Sequence, residues 1–131
     1  MEIQFRINEK VTAQAVIELF KNSGINRPID EKLVQMMIDN SNLIVTAWKG
    51  SELIGIARSV TDFCYCCYLS DIAVKKEFQK FGIGKTLIEL TQQSVGEQTM
   101  LLFLASASAI EYYPKVGFEK VENGYIIKRK T

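Results

Sequence analysis

The segment QKFGIGKT, residues 79 to 86, contains residue types that proteins use to bind phosphate groups. Gly82 and Gly84 let the backbone approach a ligand closely and adopt angles that other residues avoid. A helix beginning near Ile83 would add unpaired N–H groups and the positive end of its dipole, which suits a pyrophosphate. Three further side chains of the segment could add contacts: Lys80, Lys85 and Thr86. A flexible turn into a helix has a similar composition, so the glycines alone leave both interpretations open.

The end of this segment also looks like a P-loop, whose pattern is G-x-x-x-x-G-K-[ST]. The first glycine of that pattern should stand five residues before Gly84, where this chain has Gln79. A nucleoside-triphosphate site also needs an acidic magnesium-binding strand elsewhere. The missing glycine therefore disfavours such a site.

The chain has no histidine, which excludes Ser-His-Asp and Cys-His catalysis and the H-E-x-x-H metal site. Proton transfer must fall to Tyr, Asp, Glu, Cys, Lys or water. Cys64, Cys66 and Cys67 are odd in number and crowded together, which suits neither a disulfide framework nor a usual zinc site. We expect no metal. We expect the cysteines to be small buried residues, with a reactive or regulatory thiol as the alternative.

The composition is that of an ordinary globular chain, with 131 residues, 47% hydrophobic residues and a net charge of +1. This length predicts one domain over residues 1–131. The near-neutral charge gives no reason to expect nucleic acid. The start of the sequence, MEIQFRINEK, is charged and unlike a secretory signal, and no apolar run reaches the roughly 18 residues of a membrane helix. We therefore predict a cytoplasmic protein that does not associate with membranes.

Hydrophobic periodicity predicts the elements that must position the glycine segment. Helices are predicted at 12–23, closed by Gly24, then after Asp30 with Leu33, Met36 and Met37 on its apolar face, at 83–95, and briefly at 108–115. Strands are predicted at 3–7, in a hairpin over 43–62 that turns at Lys49-Gly50, at 64–74, at 99–106 and at 124–129. The 64–74 strand is apolar on both faces and is expected near the centre of the sheet. The order of elements indicates one mixed α/β sheet without repeats or linkers.

Two motifs resemble those of the GNAT superfamily of acyl-CoA N-acyltransferases. The run VKKEFQKFGIG resembles its acetyl-CoA motif Q/R-x-x-G-x-G/A, with Gln79, Gly82 and Gly84 at the fixed positions. The run AIEYYPKVGF resembles the segment A-x-x-x-Y-x-x-x-G-F, whose fixed positions are here Ala109, Tyr113, Gly117 and Phe118. The motifs stand in the family's order and spacing, and SGINRPIDEKL also resembles small bacterial members. The chain is thus similar, over nearly its whole length, to a small single-domain bacterial-type member.

This resemblance implies a mixed, mostly antiparallel central sheet that is flanked by helices and splayed at the acetyl-CoA site. In relatives the pantetheine pairs like an extra strand with the central strand, which here implies the backbone of Ile72, Ala73 and Val74. The implied residues around the pyrophosphate are Gln79, Lys80, Phe81, Gly82, Ile83, Gly84, Lys85 and Thr86. Many members have Asn where this chain has Ser106, so a contact of Ser106 with the cofactor stays open.

The family's reaction is direct attack of a neutral amine on the thioester of acetyl-CoA in a ternary complex. No covalent enzyme intermediate forms, which agrees with a chain that lacks histidine. Tyr113 matches the tyrosine that protonates the departing thiolate, and a main-chain N–H of the central strand would support the thioester oxygen. The resemblance also implies a small-molecule or peptide amine as acceptor, and a homodimer is possible.

Asp71 is the best candidate for the base that deprotonates the amine. By strand alternation it should share an apolar face with Tyr65, Cys67, Leu69 and Ala73, and a buried carboxylate needs either a partner or a raised pKa. Two alternatives stay open. Asp71 could bond loop backbone or a nearby lysine, and a chain of water molecules could serve as the base.

The competing functional class is a GNAT-like module that senses acyl-CoA without transferring the acyl group. Tyr113 and the intact glycine motif favour the enzyme. The acceptor should be set by the first two helices and by the 61–68 region, whose Phe63, Tyr65 and Tyr68 hint at an apolar or aromatic-lined pocket.

Overall fold

The computed structural model describes residues 2–106 and 113–130 and shows a five-stranded sheet with helices on both faces. The helices are α1 Ala13–Ser23, α2 Glu31–Asp39 and α3 Ile83–Val95. The strands are β1 Gln4–Ile7, β2 Leu43–Lys49, β3 Glu52–Thr61, β4 Cys66–Val74 and β5 Met100–Phe103. Two 3₁₀ helices cover Lys76–Phe81 and Tyr113–Val116.

Local sequence accounts for the ends of the first two helices. The Thr12 hydroxyl accepts a hydrogen bond from the Ala15 N–H, and α1 is closed by Gly24 at φ 87°. The Asp30 carboxylate accepts from the Leu33 N–H at the start of α2. The predicted helix at 12–23 with its Gly24 end, and the predicted N-cap at Asp30, are therefore confirmed.

The predicted apolar face of α2 is only partly correct. Val34 is fully buried and Met37 packs against the core, whereas Leu33 and Met36 are 49% and 60% exposed. Packing against α1 buries the face of α2 that contains Val34. The periodicity alone did not distinguish the two faces of this short helix.

The strands follow the order β1-β2-β3-β4-β5. The first four pair antiparallel, and β5 joins β4 in parallel. Side chains of α1 and α2 form a core on one face of the sheet, and those of α3 form a core on the other. This mostly antiparallel sheet between helices confirms the predicted fold class.

Strands β4 and β5 part before β4 ends. Their pairing runs from Cys66↔Met100 to Leu69↔Phe103, whereas β4 continues to Val74. The β5 side of the last residues of β4 is consequently left without a strand partner within the described ranges. This is the splayed arrangement that was expected.

A β-bulge at Ser70 changes which face each β4 residue occupies. Arg58 pairs with Asp71 while the next residue, Ser59, pairs with Leu69, so Ser70 is the extra residue. Leu69 packs in the core beside α3, whereas Ala73 packs in the core beside α1. The prediction that Asp71 shares a face with Leu69 was wrong because one inserted residue moves the following side chains to the opposite face.

The beginning of β4 also differs from the prediction. The strand begins at Cys66 rather than Cys64, and it alternates between buried and more exposed side chains instead of being buried on both faces. Cys67 is buried, as expected, but Cys64 and Cys66 are exposed. The expectation of three buried cysteines was therefore wrong for two of them.

The predicted last strand, residues 124–129, is not formed. These residues have no regular secondary structure and make no strand pairing in the described part of the chain. The predicted short helix at 108–115 falls largely on residues 107–112, outside the described residues, and its end is the 3₁₀ helix that starts at Tyr113.

Candidate active site

A cleft of about 390 Å³ lies where β4 ends and α3 begins. Its predicted cofactor-binding residues are Ile72, Ala73, Val74, Gln79, Gly82, Gly84, Ser106 and Tyr113. The other residues that line it are Ser23, Gly24, Ile25 and Ile88. The fold thus brings together two sequence motifs that are about thirty residues apart.

The end of β4 offers backbone groups to this cleft. The Lys75 N–H donates to the Ile54 carbonyl of β3. Because backbone N–H groups alternate between the two sides of a strand, those of Ile72 and Val74 point away from β3, toward the side on which β4 no longer pairs with β5. The Val74 carbonyl points to the same side, because it accepts a hydrogen bond from the Gln79 side chain and not from a neighbouring strand. An extended ligand could therefore pair with β4 along its open edge.

Gln79 fastens the glycine turn to its surroundings. Its side-chain N–H group donates to the Val74 carbonyl at 2.8 Å and to the Ser23 carbonyl at 3.2 Å. These bonds connect the turn to the ends of β4 and α1. The role that the structure gives to Gln79 is thus to hold the walls of the cleft together.

The two glycines of the motif serve different purposes. Gly82 has φ 71°, a left-handed conformation that glycine adopts without strain, and it stands at the start of α3. A Cβ on Gly84 would lie 4.0 Å from the side chains of Ile72 and Val74. The first turn of α3, with its unpaired N–H groups, therefore lies close to the open edge of β4.

The other predicted residues of the motif do not line the cleft with their side chains. Lys80, Phe81 and Lys85 are exposed, and Ile83 is buried in the core beside β4. The Thr86 hydroxyl donates to the Gly82 carbonyl at 3.2 Å. Their contacts with a ligand in the cleft stay a prediction.

Tyr113 lies in the wall of the cleft and is held by two aromatic rings. Its ring centroid is 4.6 Å from that of Phe103 and 5.7 Å from that of Phe118, the latter in an edge-on arrangement. The motif residues Tyr113 and Phe118 therefore pack directly against each other. The ring orientation is fixed by packing, so the hydroxyl group has a defined position.

Asp71 does not line the cleft; it is fully buried between two arginines. Its Oδ1 accepts from Arg27 Nε and its Oδ2 accepts from Arg58 Nε, both at 2.5 Å. Arg27 also donates to the Ser70 carbonyl, and Arg58 donates to the Ser70 hydroxyl. This cluster fixes the bulge of β4 to the loop after α1.

We predict a large loss of stability when Asp71 is replaced by alanine. The buried Arg58 side chain would lose its counter-ion, which should lower the free energy of unfolding by about 3–5 kcal/mol. Urea denaturation measures this change. Glu9→Gln is the control, because its ion pair with Arg6 is partly exposed and should contribute less than about 1 kcal/mol. Similar losses in the two variants would contradict the importance of the buried cluster.

The hairpin between β3 and β4 is closed by Asp62. Its Oδ1 accepts from the backbone N–H groups of Tyr65, Cys64 and Cys66, and these bonds hold the pKa of the Asp62 carboxyl well below its usual range. Partial desolvation, followed by the negative charge of Asp62, raises the pKa of the Cys64 and Cys66 thiols. A raised pKa disfavours the alternative of a reactive thiol.

We predict that a maleimide labels Cys64 and Cys66 in the native protein, and labels Cys67 only after unfolding. Labelling at pH 7 should be slow, and Asp62→Asn should accelerate it roughly 2- to 5-fold because the loss of a negative charge lowers the thiol pKa. Mass spectrometry of digested protein follows each site. Asp39→Asn, which changes a carboxylate of α2, is the control. An unchanged rate in Asp62→Asn would contradict the electrostatic explanation.

Four cleft residues were not found from the sequence: Ser23, Gly24, Ile25 and Ile88. The Gly24 cap itself could be predicted, but its position beside β4 depends on packing between distant segments. Ile88 lies one turn beyond Gly84 on α3, so helix periodicity could have placed it on the cleft side.

Neither a membrane-spanning helix nor a metal site occurs in the described residues. No helix in 2–106 or 113–130 has the length and apolar composition needed to cross a bilayer. The same ranges contain no group of three or more acidic or cysteine side chains arranged to hold a metal ion.

Comparison with known proteins gives a consistent result. The family model for the acetyltransferase (GNAT) domain matches residues 7–128. An uncharacterised N-acetyltransferase of Pyropia yezoensis, ycf52, is 27% identical over 130 residues, which cover 94% of this chain and 74% of the relative. Other curated relatives are longer, and the matched part is only 29% of a chloroplastic GCN5-related N-acetyltransferase of Arabidopsis thaliana.

Solved structures share the fold. A probable acetyltransferase of Staphylococcus aureus superimposes with a TM-score of 0.79 at 23% identity, covering 96% of this chain and all of that one. An aminoglycoside N-acetyltransferase, AAC(6')-Iy in complex with CoA, superimposes with a TM-score of 0.73 at 18% identity. The match covers 99% of this chain and 96% of that one.

Proposed function

Because the chain belongs to the GNAT acetyltransferase family, we propose that it transfers an acetyl group from acetyl-CoA to a primary amine by direct attack in a ternary complex. One observation carries the proposal. The open backbone edge of β4, the glycine turn at the start of α3 and the Tyr113 ring all line the same cleft. We further propose that residues 1–131 form one N-acetyltransferase domain that needs no metal and works in the cytoplasm.

The cleft suits two parts of a CoA molecule, its pyrophosphate and its pantetheine. The pyrophosphate would bind the N–H groups of the first turn of α3, where the helix dipole is positive. The pantetheine, an amide-containing chain, would pair with the open amide groups of Ile72 and Val74. The structural neighbour AAC(6')-Iy, which has the same fold, was solved in complex with CoA, and this supports the proposal.

The reaction then requires the protein to stabilise charge and move protons. The amine nitrogen attacks the thioester carbon, the new C–N bond forms, and the C–S bond breaks. A backbone N–H of the open β4 edge supports the negative charge on the carbonyl oxygen. The Tyr113 hydroxyl gives its proton to the departing thiolate. The amine loses its proton to water, and the tyrosinate regains a proton from solvent.

We assign Asp71 a positioning role rather than the predicted role of base. Both carboxylate oxygens accept hydrogen bonds from arginines, and the residue is fully buried outside the cleft lining. The guanidinium groups hold its carboxylate oxygens, and the residue does not line the cleft, so it is not placed to receive the amine proton. We therefore favour the alternative in which a chain of water molecules accepts the amine proton, while Asp71 holds the β4 bulge in place.

The proposed acceptor is a small-molecule or peptide amine. Structural neighbours include aminoglycoside acetyltransferases, one of them in complex with sisomicin, which establishes only that this fold can accommodate such amines. The β3–β4 hairpin exposes Phe63, Tyr65 and Tyr68. None of the three rings lines the cleft, and the Tyr65 carbonyl accepts from the Met100 N–H at the start of β5. The acceptor contacts expected from the 61–68 region and from the first two helices therefore stay a prediction.

Binding of CoA can be tested by thermal unfolding. At concentrations far above its dissociation constant, CoA should raise the melting temperature by several degrees, because it binds only the native cleft. ATP with magnesium is the matched control, since it shares the adenosine and phosphate groups but lacks the pantetheine. An equal shift with ATP would support the P-loop interpretation instead, and no shift with CoA would contradict the proposed function.

A further inference from the structure

The two ends of the cleft have different chemistry. The glycine turn at Gly82 and the start of α3 form the end that we assign to the pyrophosphate. Strand β4 leads away from that end to Ile72, and Tyr113 also lines the cleft. The thioester of the proposed complex therefore lies near Ile72, and the residues that precede it in β4 are Asp71 and the bulge at Ser70.

Arg27 covers the β4 bulge from the loop after α1. It stands two residues beyond Ile25, which lines the cleft. Its Nε donates to Asp71 at 2.5 Å, and its Nη2 donates to the Ser70 carbonyl at 2.7 Å. Because Asp71 directly precedes Ile72, these bonds hold the guanidinium group next to the reacting end of the cleft.

Arg27 and Tyr113 approach the reacting end from opposite faces of the sheet. Tyr113 packs against the core beside α3, whereas Ala73 of β4 packs in the core beside α1. Alternation places Asp71 on the same face as Ala73, and Arg27 binds Asp71 there. An amine that attacks the thioester from the face opposite to the proton donor therefore passes beside Arg27.

The cluster around Asp71 carries an excess positive charge. In the described part of the chain, Arg27 and Arg58 share the one carboxylate of Asp71. The Arg58 side chain is only 10% exposed, whereas that of Arg27 is 29% exposed and reaches water. A guanidinium group has five N–H groups, and the hydrogen bonds of Arg27 within the described residues use three of them. Two N–H groups of Arg27 are therefore available to an anion.

We propose that the acceptor is an amine that carries a carboxylate on the same molecule, as an amino acid does, and that Arg27 binds this carboxylate. Charge-assisted hydrogen bonds from a guanidinium group to a carboxylate are among the stronger polar contacts in proteins. Polyamines and aminoglycosides, which carry several positive charges, are repelled by the same excess charge. The inference rests on the proposed acetyl transfer, which places the reacting end of the cleft near Ile72.

Acetyl transfer to matched pairs of acceptors tests the proposal. Each pair is a proteinogenic L-amino acid and its carboxamide, while spermidine and an aminoglycoside represent acceptors without a carboxylate. The carboxylate preference is the kcat/KM of the amino acid divided by that of its amide, and at least one pair should give roughly 10- to 100-fold. The amide has the lower amine pKa, because no carboxylate stabilises its ammonium group. A larger neutral fraction of the amine therefore does not explain a preference for the amino acid.

Substitution of Arg27 separates ligand binding from a structural role. Arg27→Gln should reduce the carboxylate preference to less than about 3-fold, because the cation is lost. A purely structural role would slow transfer to both members of a pair equally, so an unchanged preference in a folded variant would overturn the proposal. Arg6→Gln, which removes a partly exposed guanidinium group of β1, is the control and should keep the preference.

Arg27→Lys keeps the charge and provides the test if Arg27→Gln does not fold. Lysine lacks the planar fork of arginine, so the carboxylate preference should fall at least ~3-fold. Melting curves identify the folded variants.

Binding without transfer distinguishes this proposal from the proposed function. The amino acids and their amides are titrated into protein saturated with CoA, and calorimetry then measures a ternary complex that cannot react. Carboxylate-selective binding that is lost in Arg27→Gln supports the proposal even where no acetyl group is transferred from acetyl-CoA. Transfer to spermidine or the aminoglycoside at least as fast as to every amino acid would support acetyl transfer but overturn the role of Arg27. Absence of both binding and acetylation of amino acids would overturn it as well.

Discussion

Replacing Gly84 with valine is expected to weaken CoA binding at least ~100-fold while the protein stays folded. The Cβ of an alanine here would make ordinary contacts with Ile72 and Val74 at 4.0 Å, but the two methyl groups of valine extend further into the space between α3 and β4. That space is the part of the cleft that we assign to the CoA chain. Titration calorimetry with CoA measures the loss.

Gly84→Ala is the matched control for this prediction. Alanine is more favourable than glycine inside a helix by roughly 1 kcal/mol, so this variant should be as stable as the wild type or more so. Its effect on CoA affinity should be much smaller than that of valine. Equal CoA affinity in the wild type and in Gly84→Val would exclude this cleft as the cofactor site.

Replacing Tyr113 with phenylalanine should lower kcat by roughly 10- to 1000-fold, the range of general-acid catalysis. Phenylalanine keeps the ring and its packing against Phe103 and Phe118 but removes the hydroxyl proton. CoA affinity should change by less than about tenfold, since at most one hydrogen bond of about 0.5–1.5 kcal/mol is lost. The loss in kcat should be toward the lower end, because a thiolate can leave without full protonation.

Tyr112→Phe is the control for this substitution, as it changes the neighbouring tyrosine in the same way. Turnover should be nearly unchanged in Tyr112→Phe. Normal turnover in Tyr113→Phe would refute the assignment of the proton donor, whereas a large loss in Tyr112→Phe alone would move the role to that residue.

Much of the site could be predicted from the sequence because its features are local. The Gly24 end of α1, the Asp30 cap of α2 and the glycine turn at the start of α3 depend on neighbouring residues in the chain. The predicted fold class is confirmed by the sheet and by the family. Local patterns therefore sufficed to place the glycine turn at the end of a buried strand.

The surroundings of Asp71 could not be predicted because they depend on strand register. The bulge at Ser70 moves Asp71 to the face on which Arg27 and Arg58 approach it from separate elements. Simple alternation has no means to detect one inserted residue. The same limit explains why Ser23 and Gly24, which reach the cleft from α1, were not predicted.

The unformed last strand has a different cause. The composition of residues 124–129 favours a strand, but within the described residues they pair with no other strand, and propensity alone does not form one.

The most direct test is to follow the conversion of acetyl-CoA to CoA in the presence of a panel of primary amines. The panel should include polyamines, aminoglycosides, amino acids and peptides with free N-termini. Chromatographic separation of the two CoA species is preferable to thiol reagents, because Cys64 and Cys66 are exposed and would react. We predict that at least one amine accelerates CoA release well above hydrolysis and gains one acetyl group, and that Tyr113→Phe slows this release. Tight CoA binding without acceleration by any amine would contradict acetyl transfer and identify the protein as an acyl-CoA-binding module.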